Sequence, residues 1–298
     1  MDAGGEAIIW RARIKGETVI ARDTRPPPSN SWFSPDGARI LSVRFFVGFE
    51  PPELSLNIIH PQVIRREIIS QIQIRHPNVI PILGVSSSPN HPLSIITPFV
   101  PNGSALGFLP GVLMCDKFAD IASALDYLHV MNPPIIHGDL HGRNILVDAE
   151  EKGLLCDFGQ SRIKHEQTRS MTDITEGGKF RYLAPELLAN STLAGYKFRT
   201  TPASDCYAFA MTMLELATLD KPFSEFENER AAFHAAEQGI RPGRPTQEAF
   251  GKLGERRTEM LWELLTSMWD HDPAKRPSMH CVNIRIVEII CVPAGTHT

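Results

Sequence analysis

The chain has no cysteine framework. Its five cysteines, Cys115, Cys156, Cys206, Cys281 and Cys291, are odd in number and scattered. Neither the paired spacing of a disulfide scaffold nor the Cys-x-x-Cys spacing of a zinc site is present. They read as buried thiols in a reducing compartment. No apolar run approaches the roughly 20 residues that a helix needs to cross a bilayer. The first residues, Met1-Asp2-Ala3-Gly4-Gly5-Glu6, are acidic and have no apolar core, so they do not read as a secretory signal. Neither charge is in excess: 30 Lys and Arg stand against 34 Asp and Glu, a net charge of −4. Bulk electrostatics therefore give no reason to expect nucleic acid or an anionic membrane as partner. These absences point to a cytoplasmic protein. What remains is a chain of 298 residues, 42% hydrophobic and 21% charged. A chain of this size can bury roughly 75% of its unfolded surface, as one large domain or as two lobes with a cleft between them.

Turn signals and periodicity divide the chain. Ile8-Ile9-Trp10 and Thr18-Val19-Ile20-Ala21 read as two strands joined by a turn at Lys15-Gly16-Glu17. Residues 23–61 carry several turn signals: Pro26-Pro27-Pro28, Ser34-Pro35-Asp36-Gly37 and Pro51-Pro52. Between them Arg39 to Val47 reads as a strand. Phe33 to Leu41 has the pattern of one β-propeller hairpin, but it occurs once, and repeat architectures need several copies. The stretch is therefore expected to be an insertion. Apolar spacing predicts a helix from Val63 to Ile74, ended by His76-Pro77-Asn78. Strands are expected at Val79 to Val85 and Leu93 to Val100, separated by the turn-rich Ser86-Ser87-Ser88-Pro89-Asn90. Beyond Asn102-Gly103-Ser104 the pattern becomes helical, at Phe118 to His129, Tyr207 to Leu219 and Met260 to Trp269.

The segment Ile136-His137-Gly138-Asp139-Leu140-His141-Gly142-Arg143-Asn144-Ile145-Leu146 carries the chemistry. An Asp five residues ahead of an Asn, between apolar runs, suits phosphoryl transfer. The Asp accepts the proton of an attacking hydroxyl, and the Asn helps to hold a metal on phosphates.

With the other motifs in their order along the chain, the sequence resembles a eukaryotic protein kinase domain of the tyrosine-kinase-like group. Arg75-His76-Pro77-Asn78-Val79 resembles the turn after the regulatory helix, and Thr97-Pro98-Phe99-Val100-Pro101-Asn102-Gly103-Ser104 resembles the hinge. Cys156-Asp157-Phe158-Gly159 resembles the metal-binding Asp-Phe-Gly. Arg181-Tyr182-Leu183-Ala184-Pro185-Glu186 resembles the end of the activation segment. Ser204-Asp205-Cys206-Tyr207 resembles the start of the central helix of the large lobe. Asp272-Pro273-Ala274-Lys275-Arg276-Pro277 resembles the late Arg motif. The resemblance implies an α+β, two-lobed fold. Residues 1–100 would form a small lobe with an antiparallel β-sheet, one main helix and an insertion at about 23–61. Residues 101–298 would form a larger helical lobe, with ATP in the cleft between.

The resemblance also implies roles. Asp139 would orient the acceptor hydroxyl and take its proton, while Asn144 and Asp157 would hold Mg²⁺ on the ATP phosphates. Glu67 would pair with a strand cation, here Arg22. Gly4, Ala7, Ile9, Thr97, Phe99 and Val100 would border the nucleotide. His137 would pack beneath Phe158, Gly159 would complete the Asp-Phe-Gly turn, Asp205 would steady the catalytic loop, and Glu186 would pair with Arg276. The implied partners are ATP and a protein substrate, with no nucleic acid and no membrane; the sequence gives no oligomeric state.

Several positions depart from the pattern. Arg22 stands for the usual Lys, and Arg and Lys are not interchangeable at phosphate. The glycine loop is poor, and the strand before it is missing at Met1. Gln71 puts an amide where the family prefers an apolar residue, and a buried amide needs a partner. Gly138 removes the Arg that binds an activation-loop phosphate, so Thr168, Ser170, Thr172 and Thr175 would not act through that route. His141 replaces the usual loop cation, for which Lys179 is a candidate substitute. His-Gly-Asp-Leu-His-x-x-Asn also resembles small-molecule kinases of the aminoglycoside and choline phosphotransferase type. Three readings stay open: a protein kinase acting on Ser/Thr more than on Tyr, a pseudokinase serving as a binding scaffold, and a small-molecule kinase.

Overall fold

A computed structural model describes residues 8–14, 17–23, 40–46, 71–88, 91–108, 114–158, 162–163, 169–170, 180–187, 197–246, 250 and 254–292. Its first part is a five-stranded sheet in the order β1-β2-β3-β5-β4. The strands are β1 (Ile8–Ile14), β2 (Glu17–Asp23), β3 (Ile40–Phe46), β4 (Gly84–Ser88) and β5 (His91–Pro98). β1 and β2 form the expected hairpin, with Ile14 opposite Glu17. β3 pairs antiparallel with β5 and parallel with β2, so the sheet is antiparallel except at that one seam. A parallel neighbour needs a crossover rather than a tight turn, and residues 24–39 supply its length. The stretch expected to be an insertion thus contributes the central strand of the sheet.

β4 begins later than its apolar run. Val79 and Ile80 are drawn away from the sheet: Ile80 N–H donates to Leu155 O (3.0 Å) and Leu155 N–H to Asn78 O (2.8 Å). The Asn78 amide adds a bond to Gly153 O at 3.1 Å. The serines expected in a turn lie instead in β4, which is bulged between Ser86 and Ser88. Of the expected helix at 63–74, residues 71–72 are described and helical. Gln71 there is 3% exposed, and its amide donates to Ile80 O at 2.7 Å. The partner that a buried amide requires is therefore present.

The second part is helical: α1 (Ala105–Phe108), α2 (Met114–Val130), α3 (Pro202–Thr218), α4 (Glu229–Glu237), α5 (Glu255–Met268) and α6 (Met279–Cys291). α4 and α6 add to the three expected helices. α3 begins on a reciprocal cap, in which Thr201 Oγ1 accepts from Ser204 N–H and Ser204 Oγ accepts from Thr201 N–H, with Pro202 leading the first turn. Such a cap satisfies two of the amide donors that every helix start leaves over. Ser278 caps α6 and Asn228 caps α4.

α3 is the core of this part. Thirteen of its residues are buried, including Tyr207, Phe209, Met211 and Met213, as expected of a helix that is apolar on nearly every side. α2 packs beside it with Phe118, Ile121, Leu125 and Leu128, and α6 packs on α2 with Val282 and Ile286. Cys156 and Cys206 are buried, as the sequence suggested; Cys281 and Cys291 are exposed, because they fall on the outer side of α6. A smaller cluster of Ile80, Val100 and Cys156, with Leu146 and Leu154 against it, lies beside the hinge residues.

Candidate active site

β6 (Ile135–Ile136) is fully buried and delivers His137 into the core at 0% exposure. His137 Nε2 reaches Cys156 O at 3.1 Å, and a carbonyl only accepts, so Nε2 carries the proton. Nδ1 is then free to accept, and Asp139 N–H donates to it at 3.3 Å. One tautomer satisfies both contacts. The ring stands edge-on to Phe158, with centroids 5.0 Å apart.

Asp205, in the first turn of α3 and 1% exposed, holds the loop from below. Its Oδ2 accepts from His137 N–H (2.8 Å) and its Oδ1 from Gly138 N–H (2.9 Å). His129 Nε2 lies 3.0 Å from the same Oδ2. Gly138 has φ of 74°, a region that glycine enters without the steric cost carried by other residues. The glycine therefore suits the backbone that Asp205 pulls into place.

Asn144 closes the turn Gly142–Asn144. Its Nδ2 donates to Asp139 O at 2.8 Å and approaches Asp139 Oδ2 at 3.4 Å. β7 (Ile145–Val147) and β8 (Gly153–Leu155) then pair antiparallel, and Cys156 N–H donates to Asn144 O at 2.9 Å. That bond sets Asp157, the next residue, beside Asn144. Asp157 has φ of 67°, a left-handed conformation that Asp tolerates better than most side chains. His137, Asp139, Asn144, Asp157 and Phe158 are thus brought together in one place.

Two further carboxylates tie down the loops. Glu215, near the end of α3, accepts from Gly142 N–H (2.8 Å) and from the Tyr182 hydroxyl (2.7 Å). Burial raises its pKa, and raises that of Tyr182 as well. The Tyr182 ring also tilts onto His141, with centroids 5.8 Å apart. Glu186 receives both arms of Arg276, at 2.8 Å each, and the Arg276 side chain is 0% exposed. Beside this pair the Cys206 thiol is pushed up to about 12 by burial. Arg181, 5% exposed, joins Glu229 at 2.8 Å and donates to Pro222 O and Phe226 O.

A family model described as "Protein tyrosine and serine/threonine kinase" matches residues 59–286. The chain belongs to the protein kinase family. It is 31% identical over 230 residues to receptor-interacting serine/threonine-protein kinase 2 of Bos taurus, covering 72% of this chain and 41% of that protein. It is 31% identical over 242 residues to serine/threonine-protein kinase STY17 of Arabidopsis thaliana, covering 76% of this chain and 38% of that one. It is also 31% identical over 243 residues to the dual specificity protein kinase splA of Dictyostelium discoideum, covering 73% of this chain and 9% of that one. The chain spans about two-fifths or less of the length of these three relatives.

Within this kinase fold, Thr97 and Pro98 end β5, opposite Ser42 and Leu41. Phe99 is exposed and Val100 is buried against Ile80 and Cys156. Val100 O accepts from Gly103 N–H in a turn. β3, not β2, is the strand beside β5: Arg44 faces Ile95, and Arg22 lies one strand further out, opposite both Arg44 and Ile9. Gly4, Ala7, Glu67, Gly159, Thr168, Thr172, Thr175 and Lys179 lie outside the described residues, and Ser170 is described only as backbone in β10 (Arg169–Ser170).

The sequence reading passed over Glu215, Arg181, Arg44 and Leu146. Glu215 carried a signal, the one acid in the apolar run after the first turn of its helix. Leu146 carried another: in β7 it alone is half-buried while Ile145 and Val147 are buried, so it faces the other side of the strand, toward the hinge cluster.

Among the described residues no helix is long and apolar enough to cross a membrane.

Proposed function

We propose that this chain is an ATP-dependent protein kinase that transfers the γ-phosphoryl group to a protein hydroxyl, serine or threonine in preference to tyrosine. The observation that carries the reading is the junction at Asn144. Its side chain bonds the loop of Asp139, and its carbonyl bonds the residue before Asp157. These two bonds through one residue support the reading of Asp139 as proton acceptor and of Asn144 and Asp157 as metal-holding groups.

The donor set fits Mg²⁺. Asn144 gives its NH₂ to Asp139, which leaves Oδ1 as its acceptor atom, and Asp157 adds carboxylate oxygen. These are hard oxygen ligands of the kind Mg²⁺ takes, one or two from protein and the rest from phosphate and water. Bound there, Mg²⁺ would neutralise charge on the phosphates.

The protein side of the reaction follows from position. Asp139 accepts the proton of the acceptor hydroxyl as its oxygen bonds to the γ-phosphorus. The bond from that phosphorus to the β–γ bridging oxygen breaks, and ADP leaves. The hinge from Pro98 to Val100 offers backbone groups to the adenine edge, over an apolar floor that includes Leu146, Ile80 and Val100. Arg44, on the strand beside β5, is better placed than Arg22 to serve as the phosphate-side cation. The names of the relatives support serine and threonine, and one of them supports dual specificity.

The test is Mg²⁺-dependent ATP binding and phosphorylation of a generic protein substrate, beside Asp139→Ala and Asp157→Ala. Transfer that both changes abolish is expected. ATP binding with no transfer in the wild-type protein would replace this reading by a pseudokinase.

A further inference from the structure

The acceptor side of the catalytic loop carries a charge arrangement that the phosphoryl-transfer machinery does not use. Glu215 is bonded to the loop at Gly142, and it is closed to a substrate. It is 5% exposed, and its two oxygens are taken by Gly142 N–H and the Tyr182 hydroxyl. A basic side chain on an incoming polypeptide would have to displace one of these bonds to reach it, leaving a buried donor without an acceptor.

The charge that the loop does offer to solvent is positive. Arg143 lies four positions after Asp139, between Gly142 and Asn144. Those two neighbours are buried, and Arg143 is exposed. No described carboxylate pairs with it. Gly142, the residue before it, is bonded to Glu215, and Glu215 to the Tyr182 hydroxyl, so Arg143 leaves the chain where the loop of Asp139 meets the segment 180–187. Lys221, also exposed, follows the end of α3, six residues after Glu215. A chain that presents a hydroxyl to Asp139 comes to the loop that carries Arg143.

We propose that Arg143, supported by Lys221, makes the site select hydroxyl acceptors flanked by an Asp or Glu carboxylate. The inference rests on the protein kinase reading above. A guanidinium is suited to the role because its fork can take both oxygens of a carboxylate. The pair would form in a part-exposed place, so its effect is moderate and salt-dependent.

The experiment uses Ser, Thr and Tyr peptides that differ only in carrying Glu, Ala or Lys beside the acceptor. Transfer is measured as kcat/KM, and binding of the same peptides without ATP is measured by fluorescence anisotropy. Glu-flanked peptides should be preferred over Lys-flanked ones by about 10-fold near 0.1 M salt, with the preference shrinking as salt rises. Arg143→Glu should erase or reverse the preference, and Lys221→Ala should reduce it by about 2-fold. Transfer with equal kcat/KM across the peptides, or a preference that survives Arg143→Glu, overturns the inference and leaves the kinase reading in place. Binding with an Arg143-dependent acidic preference but no transfer upholds the inference and removes the kinase reading. Neither transfer nor preferential binding overturns both.

Discussion

Replacing Asp205 by Asn changes one atom and almost no volume, yet the geometry makes it a severe change. The carboxylate accepts from three donors: Gly138 N–H on Oδ1, and His137 N–H with His129 Nε2 on Oδ2. An amide has one acceptor oxygen. If that oxygen takes the place of Oδ2, the new NH₂ faces Gly138 N–H, donor against donor, at a site where the residue is 1% exposed. In the opposite orientation His137 N–H loses its acceptor. The better orientation loses one hydrogen bond to a charged acceptor, about 1.5–3 kcal/mol, and leaves a buried N–H unmade, about 1–3 kcal/mol. The sum, about 2.5–6 kcal/mol, is a large fraction of the roughly 5–15 kcal/mol that holds a typical domain together. The two amides concerned belong to the residues just before Asp139, so the strain falls on that residue. A misplacement of about 1 Å can cost roughly 100-fold in rate. Urea unfolding followed by circular dichroism should show the loss of stability. Steady-state kinetics should show kcat/KM down by about 100-fold or more, with ATP affinity little changed, because the hinge backbone does not touch Asp205. An Asp205→Asn protein within about 1 kcal/mol of the wild type and within about threefold of its activity would refute the reasoning.

Arg276→Met should cost about 3–5 kcal/mol in urea unfolding, because it strips a buried guanidinium from Glu186 and from Ala203 O and Asp270 O and leaves the acid unpaired. Arg276→Lys should recover less than half of that loss, since an ammonium cannot span both carboxylate oxygens. Glu215→Gln should be well tolerated near neutral pH: its carbonyl keeps Gly142 N–H, and its NH₂ donates to a Tyr182 hydroxyl that turns from donor to acceptor. The same substitution should flatten the pH dependence of stability. Burial raises the pKa of Glu215, so the folded protein holds that proton more tightly than the unfolded chain does. Stability is then greatest below the ordinary carboxylate range and falls as pH climbs from that range through the raised value. Asp120, also raised by burial, contributes with the same sign, so the glutamine variant should lose only part of the slope above the ordinary carboxylate range. An unchanged slope would mean that Glu215 is not the buried acid responsible.

The helical part and its site were legible because their signals are local. Asp139 and Asn144 stand five apart because one turn, Gly142–Asn144, folds the amide back onto the Asp backbone. Asp205 reads as a helix-start acid because it is one, in a turn led by Pro202 and capped by Thr201. The sheet was less legible because pairing is not local. Counting forward from Lys15-Gly16 brings Arg22 to the usual cation position only if β2 lies against the hinge strand. The chain instead passes through residues 24–39 and places Ile40–Phe46 there. No periodicity within β2 or β3 distinguishes the two orders. β4 was misplaced for a similar reason: Val79 and Ile80 are as apolar as a strand, but their backbone groups are taken by His76, Leu155 and the Gln71 amide. Partners distant in sequence decided both cases.

The catalytic loop has almost no secondary structure of its own, and its amide groups need acceptors from elsewhere. α3 supplies them at two points. Asp205 in its first turn takes the amides of His137 and Gly138, and Glu215 near its end takes that of Gly142. Ten residues of helix separate those acids, about 15 Å at the usual rise. Asp139 lies on the stretch between the two anchors, so its position is set by a single rigid element rather than by contacts within the loop. Buried carboxylates are a poor source of net stability; here they serve to hold a backbone to a ruler. The two loop positions where this chain departs from its family leave that arrangement intact. Gly138 has the φ that the Asp205 anchor requires, and His141 stacks on the tyrosine that Glu215 holds. Neither change breaks the bonds that anchor the loop on either side of Asp139. The strand order sets Arg44 beside the hinge strand and Arg22 behind it. If the strand order governs, Arg44→Ala should depress transfer far more than Arg22→Ala, and equal losses would place the phosphate-side cation elsewhere.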